Sequence, residues 1–177
     1  RKAGCWNIFY GYETANDDLA KNIQTDKKNR DFEKMKQVAQ WTKEAGIEVR
    51  GSFLIGLPGE TPELAKKTVQ NAIELDPDYA QFTLVCPYPG TILAKEIQEG
   101  KWGKFVSQNL EEYQCWNVTW LPYGYKNVKE LKNMERYAFR KFYLRPSYIF
   151  KRIMKIRSFE DIKRYFKGGK ALVRAFL

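Results

Sequence analysis

The most specific chemical signal in the chain is Gly51-Ser-Phe-Leu-Ile-Gly-Leu-Pro-Gly-Glu60, followed at once by Thr61-Pro62. A β-rich apolar run ends at Gly56, turns through Leu57-Pro58-Gly59 and enters a strongly signalled helix start. Such a strand–turn–helix corner lets the backbone come close to a flat ligand, because glycine has no Cβ to hold it off. Pro87-Tyr-Pro-Gly-Thr91 follows another apolar run and forms a second corner. Glu13 ends a third β-rich run and places a carboxylate there, an acceptor for hydroxyls and a partner for an ammonium group. Glu60 reads as a charge favoured by the dipole of the helix that follows rather than as a ligand contact.

Other chemistries are excluded by what the chain lacks. It contains no histidine, so Ser-His-Asp hydrolysis and histidine-based zinc hydrolysis are out of reach. Cys5, Cys86 and Cys115 are odd in number and far apart. That spacing fits a reducing compartment, hence cytoplasmic placement, and not a disulfide framework or a local zinc or iron–sulfur ligand set. They read as buried structural thiols.

The elements that position the corners follow from periodicity. Trp6 to Tyr12 reads as a strand, and Glu13-Thr-Ala-Asn-Asp-Asp18 follows as a polar turn that caps a short helix ending near Ile23. Asp31 starts an amphipathic helix with Phe32, Met35, Val38, Ala39 and Thr42 on one face, closed by Ala45-Gly46. Ile47 to Ile55 is the next strand, and Thr61 and Pro62 are the N-cap and first residue of a helix stopped by Asp76-Pro-Asp78. Tyr79 to Cys86 is a nearly continuous apolar run, as in a strand covered on both faces. Thr91 caps a further helix closed by Gly100. Alternating strands and helices predict a parallel α/β sheet over residues 1–100, with ligand chemistry at the strands' C-terminal ends. Residues 101–127 read as an irregular aromatic connector.

From residue 128 the pattern is purely helical: Val128 to Tyr143, Ser147 to Ile156 after the Arg145-Pro146 break, and a third helix opened by a Ser158/Asp161 capping box and interrupted at Gly168-Gly169. Charge divides the same way. From Asn127 onward fifteen Lys/Arg face four Asp/Glu, a balance of +11, while the whole chain carries +10. A solvated helical appendage packed on the barrel is the plain reading of this basic tail. An anionic membrane surface is the second, since aromatic and aliphatic residues interleave with Lys and Arg, and it adds peripheral membrane association to the cytoplasmic placement. Nucleic acid is the third. The sequence starts at Arg1 and enters almost directly into structure, which reads as a cropped domain.

Ala3-Gly-Cys5, Phe9-Tyr-Gly-Tyr-Glu-Thr-Ala-Asn16, Ala45-Gly46, Gly51 to Thr61 and Pro87 to Thr91 occur in an order and at a spacing that resemble the radical S-adenosylmethionine (radical SAM) enzymes. Within them, Tyr88-Pro-Gly-Thr91 after a proline is most similar to the cobalamin-associated branch related to the anaerobic magnesium-protoporphyrin cyclase. The resemblance implies the C-terminal half of an incomplete (β/α) TIM-like barrel, followed by the all-helical basic tail. It implies S-adenosylmethionine held by Glu13 and Thr14 on its amino-acid and ribose side. Ile55, Gly56, Leu57 and Pro58 would supply backbone groups and an apolar ledge to its adenine, with Pro87 and Tyr88 closing the other side. It further implies reductive cleavage of S-adenosylmethionine at a [4Fe–4S] cluster, with cobalamin as a further cofactor and a small-molecule or lipid-like substrate. The family's CxxxCxxC motif is absent, so cluster ligands and the cobalamin domain are expected in a missing N-terminal half of the same protein, and the isolated chain is expected to be inactive. A basic residue that the family often carries after the short helix aligns loosely with Gln24. The rival readings are a tRNA-modifying methylthiotransferase-like enzyme and a non-catalytic binding module.

Overall fold

The computed structural model describes residues 1–14, 16–23 and 31–176, so Gln24 lies outside the described residues. The chain runs β1 (Asn7–Glu13), α1 (Asp17–Asn22), α2 (Phe32–Glu44), β2 (Glu48–Ile55), α3 (Pro62–Leu75), β3 (Tyr79–Leu84) and α4 (Ile92–Gln98). It continues through β4 (Gly103–Phe105), β5 (Trp120–Pro122), α5 (Val128–Tyr143), α6 (Pro146–Met154) and α7 (Phe159–Phe176). Helix starts follow side-chain chemistry. Asn16, Asp31, Thr61, Thr91 and Asn127 each accept a hydrogen bond from a backbone N–H of the first turn they open. The Ser158 hydroxyl accepts from the Asp161 N–H while the Asp161 carboxylate accepts from the Ser158 N–H, a reciprocal capping box.

β1, β2 and β3 form one parallel sheet in that order. Glu13 lies opposite Phe53, after a register irregularity that begins at Gly11, and Ile55 lies opposite Leu84. The three strands therefore end along one edge. All helices in contact with the sheet's core cover one face. Tyr12, Val49, Phe53, Ile55, Ala80, Phe82 and Leu84 point into it and meet Met35 and Ala39 of α2, Ala65, Val69 and Ala72 of α3, and Leu131, Ala138 and Phe142 of α5. A run of rings crosses the strands on this face: Tyr12 to Phe53 at 5.6 Å between centroids, Phe53 to Phe82 at 5.4 Å, and Phe82 edge-on to Phe139 at 5.4 Å.

The opposite face is open. Phe9, Arg50 and Gln81 are exposed there, and Ser52, Leu54 and Thr83 are half-buried. The apolar run of β3 suggested cover on both faces, but only Ala80, Phe82 and Leu84 are buried, on alternate positions. The sheet's two edges also differ. At the outer edge of β3, the Tyr143 hydroxyl donates to the Ala80 carbonyl at 2.8 Å and accepts from its N–H at 3.1 Å, and the Leu84 N–H donates to the Cys115 carbonyl at 2.9 Å. Among the described residues no strand pairs with the outer edge of β1.

Two expectations are corrected. The aromatic connector is not irregular throughout: β4 and β5 pair antiparallel, with Phe105 opposite Trp120. Gly168-Gly169 does not interrupt α7, since two helical glycines cost about 1 kcal/mol each and leave the backbone bonds intact. α5 packs on the sheet. Its apolar side joins the core, and the basic residues after it are partly consumed: Arg145 and Lys151 pair with Asp76, and Arg152 and Lys155 with Asp78. Burial opposes charging Asp78, but hydrogen bonds from Lys155 and the Val49 N–H hold its carboxyl below the usual range. Phe142→Ala is therefore expected to destabilise the chain by about 3–5 kcal/mol in urea unfolding. A loss of less than about 1 kcal/mol would show that α5 contributes no core.

Candidate cofactor-binding edge

Because the strands are parallel and end together, Glu13 with Thr14, the Gly56–Glu60 corner and the Pro87–Thr91 turn gather on one edge of the sheet. The Val85 N–H donates to the Ile55 carbonyl at 3.0 Å and ties the ends of β2 and β3. This is the edge where parallel α/β sheets place ligands.

Each member sits differently from its neighbours. Glu13 has φ 54, a left-handed conformation that costs a non-glycine residue about 1–2 kcal/mol. Gly11, without a Cβ, leaves the space its carboxylate occupies. Strain of this kind at a strand end marks a position held by its surroundings. Thr14 is wholly buried, and its hydroxyl lies 3.0 Å from that of Thr68 on α3. It pins the end of β1 to the helix layer, so its side chain faces away from the open edge. The Ile55 and Leu57 side chains are also fully buried, and Ile55 belongs to the helix-side core. The pleat gives the opposite face to Leu54, so an apolar surface on the open side comes from Leu54 and Thr83, not from Ile55. Pro58 is buried, and its carbonyl accepts from the Asn22 side chain at 2.8 Å. Pro87 is buried. Tyr88 is exposed, and its hydroxyl donates to the Tyr113 carbonyl at 3.2 Å.

Gly56 has φ 79, a conformation that favours glycine, and a Cβ there would lie 3.2 Å from Leu131 of α5. The missing side chain thus lets the helix behind the corner approach closely. The residue the sequence hid is Glu60. It is completely buried: its Oε1 accepts from the Gly56 N–H and from the Tyr125 hydroxyl, both at 2.6 Å, while Oε2 has no partner. Gly124 sits against the Glu60 carbonyl so closely that no Cβ would fit. The connector therefore clamps the corner from behind. Burial pushes the Glu60 carboxyl up to about 7, against the lowering effect of its Tyr125, Gly56 and Leu57 hydrogen bonds. Periodicity could not reveal this, because Tyr125 is 65 residues away in the chain.

The described residues contain no group of His, Cys, Asp or Glu able to hold a metal ion. All three cysteines are half-buried rather than buried. The fold brings Cys86 close to the hydroxyl of Thr119 at 3.7 Å, and burial raises its thiol. A shallow groove of about 400 Å³ between α3 and α5, bordered by Lys66 and Tyr137, lies on the helical side and does not adjoin the strand ends.

No protein-family model matches the chain. It is 30% identical over 177 residues to an uncharacterized methyltransferase of Pyrococcus horikoshii, covering 95% of this chain and 35% of the relative. It is also 30% identical over 99 residues to the anaerobic magnesium-protoporphyrin IX monomethyl ester cyclase of Rubrivivax gelatinosus, over 55% of this chain and 17% of the cyclase. Among solved structures, the radical SAM methyltransferase TsrM of Kitasatospora setae, with cobalamin and a [4Fe–4S] cluster bound, matches at TM-score 0.50 and 28% identity. That match covers 55% of this chain and 19% of TsrM. A parallel sheet with its glycine corners on the C-terminal edge is an α/β arrangement of the kind that places ligands at that edge. These likenesses support a relationship of the chain to the cobalamin-associated radical SAM enzymes. It spans about a third of the length of the Pyrococcus relative and less of the others.

A buried carboxyl whose pKa is raised on folding holds its proton in the folded chain where the unfolded chain has released it. Stability should then fall as pH rises from the ordinary carboxyl range toward 7, and level off above. Histidine is absent, and burial also raises the Glu135 carboxyl. Glu60→Gln should flatten the fall in urea unfolding measured between pH 5 and 8, and Tyr125→Phe should cost about 1–3 kcal/mol at pH 8. Unchanged pH dependence in Glu60→Gln would contradict the assignment.

Proposed function

We propose that the chain is part of a radical SAM enzyme and supplies one wall of its S-adenosylmethionine pocket. The sheet is then the C-terminal half of an incomplete barrel. The observation that carries this reading is the asymmetry of the sheet. The outer edge of β3 is sealed by Tyr143 and Cys115, while one whole face and the outer edge of β1 have no covering strand or helix among the described residues. Parallel sheets are ordinarily covered on both faces, so further strands joining at β1 would curve round to enclose the open face.

The iron–sulfur cluster does not fit the residues of this chain, since its described part holds no ligand group. Its ligands, and a cobalamin domain like that implied by TsrM, would come from elsewhere in the whole protein. S-adenosylmethionine fits in part, because an acidic strand end and a rigid glycine corner share one edge. When bound, these cofactors supply radical chemistry directed to methyl transfer or cyclisation, the activities named for the relatives. The chain's own contribution is positional. The Glu13 carboxylate accepts hydrogen bonds from the cofactor's ribose or pairs with its ammonium. The clamped Gly56–Pro58 corner presents fixed backbone beside the adenine, and Pro87-Tyr88 limits the pocket on the β3 side. The face carrying Phe9, Ser52, Leu54 and Thr83 would line the barrel interior and meet a small-molecule or lipid-like substrate.

Titrating the isotope-labelled chain with S-adenosylmethionine tests this reading. Binding on the order of 1 mM is expected of a partial pocket, with amide shifts concentrated at Glu13, Gly56, Leu57 and Tyr88. Anaerobic incubation with iron and sulfide should yield no cluster absorption. Shifts confined to the helices, or none, would overturn the proposed wall.

A further inference from the structure

Helices α6 and α7 carry a surface that the pocket reading does not use. On α6, Ile149, Phe150, Ile153 and Met154 are exposed, opposite the buried Tyr148. On α7, Phe159, Ile162 and Phe166 are exposed, with Phe150 at 64%, Met154 at 68%, Phe159 at 70% and Phe166 at 75%. Single exposed apolar side chains need no explanation, but a continuing row on two successive helices does. Around the row stand exposed Arg157, Lys163, Lys167 and Lys170.

The internal ion pairs locate this surface. Lys151, Arg152 and Lys155 hold α6 to Asp76 and Asp78, the turn that enters β3. α6 thus sits at the N-terminal edge of the sheet, opposite the edge that gathers the corners. The open sheet face, where strands of the whole protein would join, is a different surface again. The exposed row of α6 thus lies apart from both of those surfaces.

We propose that this row docks the protein on an anionic membrane surface. Aromatic and aliphatic side chains flanked by lysine and arginine suit a helix pair lying in the interface, with apolar groups at the acyl boundary and cations among lipid phosphates. The +11 balance of the segment from Asn127 remains strongly positive after the pairs to Asp76 and Asp78. A nucleic acid would use the cations but gives Ile149, Ile153 and Met154 nothing to enter. No helix among the described residues is long and apolar enough to cross a membrane, so the contact is peripheral.

The test is co-sedimentation of the full chain with vesicles of phosphatidylcholine and phosphatidylglycerol, and with phosphatidylcholine alone. Binding is expected on the anionic vesicles only, weakened by high salt. Phe150→Ser/Phe166→Ser should lower the partition coefficient about tenfold or more, and Lys167→Glu/Lys170→Glu should weaken it as well. Both pairs are exposed, and unchanged thermal melts would show that folding is intact. No binding to anionic vesicles, or binding untouched by the Phe pair, overturns the proposal. Self-association lost in the Phe pair without vesicle binding would also overturn it and assign the row to a second copy. Preferential retention of RNA over vesicles would assign the charge to nucleic acid instead.

Discussion

The carboxyl of Glu60 lies in the protein interior, held by the Gly56 N–H and the Tyr125 hydroxyl. Burying a carboxyl is costly, and the two bonds that its Oε1 accepts fix three segments at once. The strand end of β2 is turned by Gly56, the start of α3 is set by Thr61 directly after Glu60, and the connector is drawn across the back by Tyr125 and Gly124. Leu131 of α5 then fills the space behind Gly56. The corner is thus rigid on its inner side, which leaves its outer side free to serve as a wall.

That arrangement explains the unequal faces of the sheet. Helix α5 is drawn into the core by the corner and by the ring sequence from Tyr12 to Phe139, and Tyr143 at its end seals the edge of β3. What remains uncovered is the face carrying Phe9, Ser52, Leu54 and Thr83 and the edge of β1. A chain this well sealed on one side and open on the other is suited to be completed by further parallel strands.

Much of this was legible in the sequence where the governing interactions are local. Helix caps at Asp31, Thr61, Thr91 and Ser158 depend on residues within a turn of each other, and the strand ends at Glu13 and Ile55 lie where their patterns break. The gathering of the three corners followed from parallel topology alone. The long-range contacts were not legible. Glu60 reads locally as an N-terminal helix charge, and only its meeting with Tyr125 makes it the centre of the corner. Gly56 reads as a turn glycine, and the packing of Leu131 behind it is invisible locally. Basic residues such as Arg152 and Lys155 read as surface charge until Asp78 is found beneath them. In each case the partner is distant in the chain, where neither periodicity nor capping rules reach.

The most direct measurement of the central claim is amide hydrogen exchange at Gly56. Its N–H follows the last residue of β2 and, outside a clamped corner, would exchange as a turn amide. The Glu60 bond predicts protection comparable with the core amides of Val49 and Phe53, released only by opening of the whole domain. Exchange of Gly56 at the rate of exposed turn residues such as Gly59 would contradict the clamp, and with it the account of how the corner is held.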